Sequence, residues 1–530
     1  MTAPASPWSQ RLLALAAGVA AALAFPPFGL LPGVLGYGLM LRMADTTGPR
    51  PLRSAFFRGW LAGVGYFAVG VWWITEAFLV DAEAHGWMAP FALLLMAGGL
   101  ALFWGLAALI YRAVRPAGWS RLFVFAAALS AMEWLRGNIL TGFPWNLPGE
   151  TWAAGSPPSQ AAMLVGAYGL TYVTVALAAA PALLFDPVSR RARAVVAAIA
   201  VAVLGGLYAF GAARLATAAP PSVTAPMVRL VQADIDQKDK WKPENLPQVY
   251  ASYMALTVRP ARHAPDIVVW PEGALPAVID DLLVPGSPYL LGLQDALKPG
   301  QTLMMGANRA GAGPDGGVAY YNSLVALRSE TGGGLRVTGV YDKHRLVPFG
   351  EFLPLGDFAT RLGIRSLVHM PEDFTAGPEP RPLHPAGMPS VQPMICYEAL
   401  FPRFTARAAE RNGSRPAWIL NVSNDAWFGA TSGPWQHLNI AGYRAIEEGL
   451  PIARATPTGV TAMLDAYGRI VDGRRLGLGQ EGVIDARLPA ALPPTPYSRF
   501  GEIFLATMLL VSGLMTVRRR RRGGPTSTTG

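Results

Sequence analysis

The sequence predicts a bundle of membrane-spanning helices joined to a layered α/β domain. Three observations predict it. Hydrophobic residues make up 52% of the 530 positions and charged residues only 15%, against about 25% charge in soluble domains. Mean hydropathy is +0.30, so lipid must replace the missing polar surface. Residues 225–490 then change character, from long apolar runs to short ones that end in polar residues. Disorder is excluded, because such a composition collapses. With one cysteine, an intramolecular disulfide is excluded as well.

Spanning a bilayer takes about 20 mostly apolar residues, because only a helix satisfies its own backbone in hydrocarbon. Such runs lie near 10–27, 29–43, 56–80, 87–112, 120–137, 160–186 and 194–213, with an eighth near 500–517. The domain boundaries that follow are 1–214 for seven spans, 225–490 for a water-facing domain, 498–518 for the eighth span and 519–530 for a basic, disordered tail. The second run is short and Gly-rich. The first ends in "FPPFG" rather than a small-residue cleavage site, which argues against a signal peptide. Alternate connections carry Arg42, Arg50, Arg53 and Arg58, then Arg112, Arg115 and Arg121, then Arg190, Arg191 and Arg193, with Arg518–Arg522 at the end. Eight spans with both termini cytoplasmic place all of these on one side. The net charge of +10 is then mostly topology, and no groove-reading motif points to nucleic acid.

Within 225–490, "MVRLVQADI", "APDIVVWPE", "TLMMGANR", "YNSLVALRS", "VQPMICYE" and "PAWILNVSND" read as strands. Amphipathic stretches such as "QVYASYMALTVRPA" separate them, a pattern of alternating strands and helices. Three strand ends carry candidate chemistry. In "VVWPEGALP", Glu272 follows Trp270 and Pro271; a partly desolvated carboxylate there suits general-base work, although a loop or capping acid has the same appearance. In "VYDKHRLVPFGEFLP", Lys343 is placed to stabilise an oxyanion, and Glu351 to orient it; the plain alternatives are a solvated lysine and an exposed acid. In "PMICYEALFP", Cys396 stands at a strand end beside Tyr397 and Glu398. Its thiolate is a potential nucleophile, while a buried cysteine is as commonly a small hydrophobe. The six histidines, His85, His263, His344, His369, His384 and His437, form no short-spaced ligand pair. A zinc site is therefore not expected, and a Cys–His pair using His344 or His437 is the minor alternative.

"WPEGALP", "YDKHRLVPFGEFLP", "ICYE" and "NVSNDAWFG…GPWQH" occur in one order that resembles the Glu–Lys–Cys enzymes of the nitrilase superfamily. With apolar spans before and after the domain, the whole chain resembles the apolipoprotein N-acyltransferase family. The resemblance implies an αββα sandwich, with Glu272 as general base, Lys343 on the oxyanion side and Cys396 as nucleophile. Glu351 resembles a second, supporting acid. Asn322 in "YYNS", Tyr397 and Glu398 match positions near the site, and Trp241 resembles a tryptophan on a mobile arm. No motif carries over to 275–300.

The implied activity is a two-step transfer at the outer face of a bacterial inner membrane. An acyl chain passes from the sn-1 position of a phospholipid to Cys396, then to the N-terminal amine of a diacylated apolipoprotein. No cofactor or metal is implied, because the ester carries its own activation; a monomer is expected. Leu346, Val347, Phe349, Phe352 and Leu353 are expected either to line a lipid-facing entrance or to pack beneath the sandwich, and Arg136, Asn138 and Trp145 either support the domain or touch headgroups. Two other classes fit less well: a tethered amidase with water as acceptor, for which one anchor suffices, and a non-catalytic transporter or scaffold.

Overall fold

The computed structural model describes residues 7–46, 49–186, 189–313, 316–354 and 373–522. It divides into two compact units, Met1–Thr217 with Thr495–Gly530, and Ala218–Pro494. The expected disordered tail beyond residue 522, and the side chains of Arg518–Arg522, lie outside the described residues.

The first unit is helical throughout its apolar segments. Its main helices are α1 (Pro7–Leu23), α2 (Gly36–Asp45), α3 (Pro51–Gly70), α4 (Ala89–Val114), α5 (Ser120–Asn138), α6 (Ala162–Ala179) and α7 (Arg190–Ala216), with Ile503–Arg522 at the C-terminal end. The eight expected spans are met in part. Among the described residues, Ala82–Val114, Pro158–Phe185 and Arg190–Ala216 are long and apolar enough to cross a membrane, or four helices if Pro51–Gly70 and Trp72–Leu79, bent by 61°, form one span. Local chemistry explains the shortfall. The second run splits into a 3₁₀ turn, Leu31–Leu35, and the ten-residue α2, where Pro32 and Gly33 interrupt regular helix. Trp8–Leu23 and Ile503–Thr516 are apolar but short.

The arginine-rich connections converge. Arg115 pairs with Asp45 at 2.8 Å and Arg121 with the same carboxylate at 2.9 Å. Arg121 also pairs with Asp186, whose carbonyl accepts from Arg193 at 2.7 Å. Arg136 is buried against Glu133, whose other oxygen accepts from Trp104 at 2.6 Å. Trp145 is buried on Trp73, with ring centroids 4.5 Å apart, and Asn138 caps back onto the Trp134 carbonyl at 2.8 Å. These three residues knit the helical unit internally.

Among its described residues the second unit has eleven strands: β1 (Met227–Gln232), β2 (Ile267–Trp270), β3 (Thr302–Ala312), β4 (Val318–Ser329), β5 (Leu335–Asp342), β6 (Val391–Ile395), β7 (Trp418–Val422), β8 (Ile452–Ala455), β9 (Thr461–Leu464), β10 (Ile470–Leu476) and β11 (Gly482–Arg487). They form a six-stranded sheet in the order β11-β1-β2-β3-β4-β5 and a five-stranded sheet in the order β10-β9-β8-β7-β6. β1, β2 and β3 run parallel, as do β6, β7 and β8. Their unbroken apolar runs follow, because parallel strands are buried on both faces. Val228, Val269 and Leu324 of the first sheet share one core with Ile395, Leu420 and Ala453 of the second. Helices α9 (Leu246–Thr257) and α10 (Pro288–Ala296) cover the outer face of the six-stranded sheet through Tyr253, Leu256 and Leu293, which pack on Val268, Trp270 and Leu303. Between β1 and α9 lies the short helix α8 (Gln237–Lys240). Beside β6–β8 run α11 (Phe404–Asn412) and α12 (Gly433–Glu448). The unit is an α/β sandwich of two facing sheets with helices.

One buried acid makes this unit pH-sensitive. Burial, then the carboxylate of Glu447, push Glu448 up to about 7. An acid whose folded value lies above its unfolded value of 4.5 stabilises the fold fully below that value and loses the contribution as pH rises through about 7. Glu448→Gln is expected to flatten the decline in melting temperature between pH 5 and pH 8. Thermal melts across that window check it, and an unchanged slope contradicts it.

Candidate active site

The strand order brings the three candidate strand ends together. Glu272 follows β2 and Pro271, Lys343 directly follows β5, and Cys396 directly follows β6. All three leave the carboxyl ends of strands, where a parallel arrangement opens crevices for ligands.

Lys343 is 1% exposed, and its Nζ lies 3.1 Å from Glu272 Oε1 and 3.0 Å from Glu351 Oε1. Asn322 on β4 donates through Nδ2 to the same two oxygens, at 2.7 Å each. One ammonium and one amide thus clamp two carboxylates. The free corner of each acid is tied to backbone: Asn424 N–H donates to Glu272 Oε2 at 2.6 Å, and Val347 N–H to Glu351 Oε2 at 2.9 Å. The Lys343 backbone N–H donates to the Asn322 carbonyl at 2.8 Å, fixing where the lysine leaves the sheet. Burial works against the ammonium, but Glu272, then Glu351 and Cys396, raise Lys343 well above the usual lysine range. It is a fixed cation at every physiological pH.

Cys396 adopts φ +45°, a backbone region that L side chains occupy at a cost of order 1–3 kcal/mol. The residue is partly exposed, although its neighbours from Val391 to Leu400 are buried. Burial, then Glu272, push its thiol above the ordinary range, with Lys343 pulling the other way. The resting sulfur is therefore protonated, and a nucleophile made from it needs a base. Glu272 and Asp425 are the carboxylates acting on it, and Glu272 has the larger effect.

The remaining sequence candidates separate into different places. Glu398 faces inward and organises both neighbouring strand ends. Its Oε1 accepts from Tyr341 Oη at 2.8 Å and from the backbone N–H groups of His344 at 2.8 Å and Arg345 at 3.2 Å. Its Oε2 accepts from Ile395 N–H at 2.8 Å. It thereby ties the turn after Lys343 to the turn that presents Cys396. Tyr397 is buried edge-on to Phe401, with centroids 5.1 Å apart. Trp241 is partly buried at the end of α8, with Lys240 Nζ 5.8 Å from its ring centre. Phe349 is 55% exposed at φ +64° in the turn that carries Glu351. Leu346, Val347, Phe352 and Leu353 are partly buried there.

His344 Nδ1 lies 3.1 Å from the Gly377 carbonyl, and His437 Nε2 lies 3.3 Å from the Cys396 carbonyl oxygen. Each imidazole thus has a backbone contact, and His437 meets the main chain of Cys396. His369 lies outside the described residues.

The sequence reading did not assign roles to a second layer beneath the thiol. Asp425 accepts from Arg454 at 2.6 Å and Ser423 at 2.8 Å, and lies 3.0 Å from His437 Nδ1. Burial opposes the charge, but Arg454 and His437 hold Asp425 down to about 2. The motif "NVSND" pointed to the right strand end, yet Arg454 and His437 come from distant segments with no shared spacing.

A two-sheet α/β sandwich that presents a carboxylate, an ammonium and a thiol at three strand ends is the arrangement expected of an enzyme domain of the nitrilase superfamily. The comparisons with known proteins agree. Residues 227–495 match the model of the carbon-nitrogen hydrolase family, and residues 17–180 match that of the apolipoprotein N-acyltransferase N-terminal domain. A protein of Caulobacter vibrioides named apolipoprotein N-acyltransferase is 56% identical over 97% of this chain and 95% of its own. Proteins of the same name from Bradyrhizobium diazoefficiens and Brucella melitensis are each 38% identical over 97% of this chain, covering 95% and 97% of their own. The chain belongs to the apolipoprotein N-acyltransferase family and is an acyltransferase with apolar membrane-type helices.

Proposed function

We propose that this protein moves an acyl chain from the sn-1 position of a phospholipid, with phosphatidylethanolamine as the expected donor, to the N-terminal amine of S-diacylglyceryl-cysteine on apolipoproteins. The observation that carries the reading is the buried Glu272–Lys343 pair, 3.1 Å apart, with the partly exposed Cys396 near it, in a chain of this family.

Glu272 takes the thiol proton and the thiolate attacks the ester carbonyl. Lys343 stabilises the tetrahedral oxyanion. As the C–O bond breaks, Glu272 returns the proton to the departing lysophospholipid oxygen, leaving a thioester on Cys396. The α-amine of the acceptor then attacks that thioester and gives its proton to Glu272. The C–S bond breaks, the sulfur recovers the proton, and triacylated lipoprotein leaves. Glu351 and Asn322 hold Glu272 and Lys343 in register throughout.

The apolar helices fit this chemistry, because lipid chains resist leaving the bilayer at about 0.8 kcal/mol per CH₂. In this reading eight apolar helical segments embed the protein in the inner membrane, and the convergence of the arginine-rich connections on Asp45 and Asp186 supports placing them on the cytoplasmic side. The sandwich then faces the periplasm, and the exposed Phe349 turn serves as the lipid entrance.

The test is incubation of purified protein with acyl-labelled phospholipid and a diacylated lipopeptide. The proposal expects label on the peptide amine and an equal amount of lysophospholipid. Label released only as free fatty acid identifies a hydrolase and rejects the transfer.

A further inference from the structure

We infer that Lys240 is a positioning residue for Glu272, supplying the second positive charge that a site with two carboxylates requires. This deepens the proposed acyl transfer and rests on it for the role of Glu272.

In the sequence, Lys240 belongs to "DQKDKWK", a polar stretch that reads as solvated surface. Its neighbours behave that way: Asp236, Lys238, Asp239 and Lys242 are exposed, and Lys242 pairs with Asp239 at 2.6 Å. Lys240 instead turns inward. It is 1% exposed, and its Nζ is buried with no hydrogen-bond partner among the described residues. The Trp241 ring centre, 5.8 Å away, is a weak counterpart, and a buried ammonium with no hydrogen bond calls for a further cause.

The cause lies at the neighbouring strand end. Gly273, which follows Glu272, takes φ +51°, and a Cβ added there would come 3.9 Å from Lys240 Nζ. The ammonium therefore sits against the turn that presents the general base. Around Glu272 the charged groups are Lys343, Glu351 and Lys240, with the neutral Cys396 thiol and, one layer on, Asp425, which Arg454 already pairs. Lys343 alone faces two carboxylates, leaving one negative charge uncompensated. Lys240 balances it, two cations against two anions. Proton transfer from Cys396 to Glu272 then moves the negative charge to sulfur without changing the total. Burial lowers Lys240 to about 8, against the opposing pull of Glu272, so the added charge is present at neutral pH.

Removing this cation makes Glu272 hold its proton more tightly, and the thiol also. The test uses full-length protein in detergent, as wild type, Lys240→Met and, as a second near-isostere, Lys240→Gln. Acyl-enzyme formation from labelled phospholipid and alkylation of Cys396 by iodoacetamide are each followed from pH 5 to pH 9, with melting temperatures alongside. The expected result is an upward move of both rising limbs by about one pH unit in whichever variant retains the wild-type melt. Acylation falls about tenfold at pH 6 and less at pH 8. Limbs that stay at the wild-type position in a folded variant overturn the inference, and a lowered melting temperature with unmoved limbs makes Lys240 a structural anchor. A wild-type protein that forms no acyl-enzyme rejects the acyl-transfer reading instead, and the alkylation limb still decides the role of Lys240.

Discussion

Cys396→Ala loses lipopeptide acylation by about four to six orders of magnitude, the scale seen when a covalent nucleophile is removed from a catalytic unit. The reason is chemical rather than structural. Cys396 is the only cysteine in the chain, and it is the partly exposed group within electrostatic reach of both Glu272 and Lys343. Alanine keeps the backbone at the same left-handed φ of +45°, and Glu398 still ties the two turns together through Tyr341, His344 and Ile395. The melting temperature should therefore stay near wild type while lysophospholipid release stops. Retained lipopeptide acylation in a Cys396→Ala protein would remove the thioester from the mechanism.

Lys343→Met has the second large effect, and it falls on both stability and rate. The ammonium is buried between Glu272 and Glu351, so its loss leaves two carboxylates facing each other across the Asn322 amide. Breaking a buried pair by removing one partner costs about 3–5 kcal/mol, and acyl transfer loses its oxyanion stabiliser, worth about 10²–10³ in rate. Acidification relieves the repulsion, so the stability deficit should be smaller at pH 5 than at pH 8. Adding Glu351→Gln to Lys343→Met should recover part of the melting temperature and none of the activity. Thermal melts and turnover of the single and double variants check both halves. Recovery of activity in the double variant would show that Lys343 acts only by neutralising Glu351.

The positions of Glu272 and Cys396 were legible in the sequence because each follows a short apolar run, as parallel strands buried on both faces do; Lys343 follows β5, an antiparallel, half-exposed edge strand, and was legible only through its motif. Glu351 and Asn322 were also legible, through the punctuated "VPFGE" and the strand "YYNS". What the sequence hid depends on direction rather than residue type. Lys240 looks like Lys238 and Lys242 in the chain, and only the turn of α8 sends one of the three inward. Glu398 follows Cys396 by two positions, yet its side chain is taken up by four hydrogen bonds to the neighbouring strand ends. The Asp425–His437–Arg454 layer joins a loop, a helix and a strand, and no local spacing encodes it. The apolar segments were found, but their lengths as helices were not, because hydropathy does not register the 3₁₀ start at Leu31 or the break after Gly70.

The central claim is that Cys396 carries the acyl group between two substrates. Intact-protein mass measurement after incubation with phospholipid alone tests it most directly. The account predicts a single added acyl mass, mapped to the peptide containing Cys396, discharged on adding a diacylated lipopeptide and absent from Cys396→Ala. Wild-type protein that transfers normally when both substrates are present, yet gains no acyl mass on Cys396 from phospholipid alone, would contradict it.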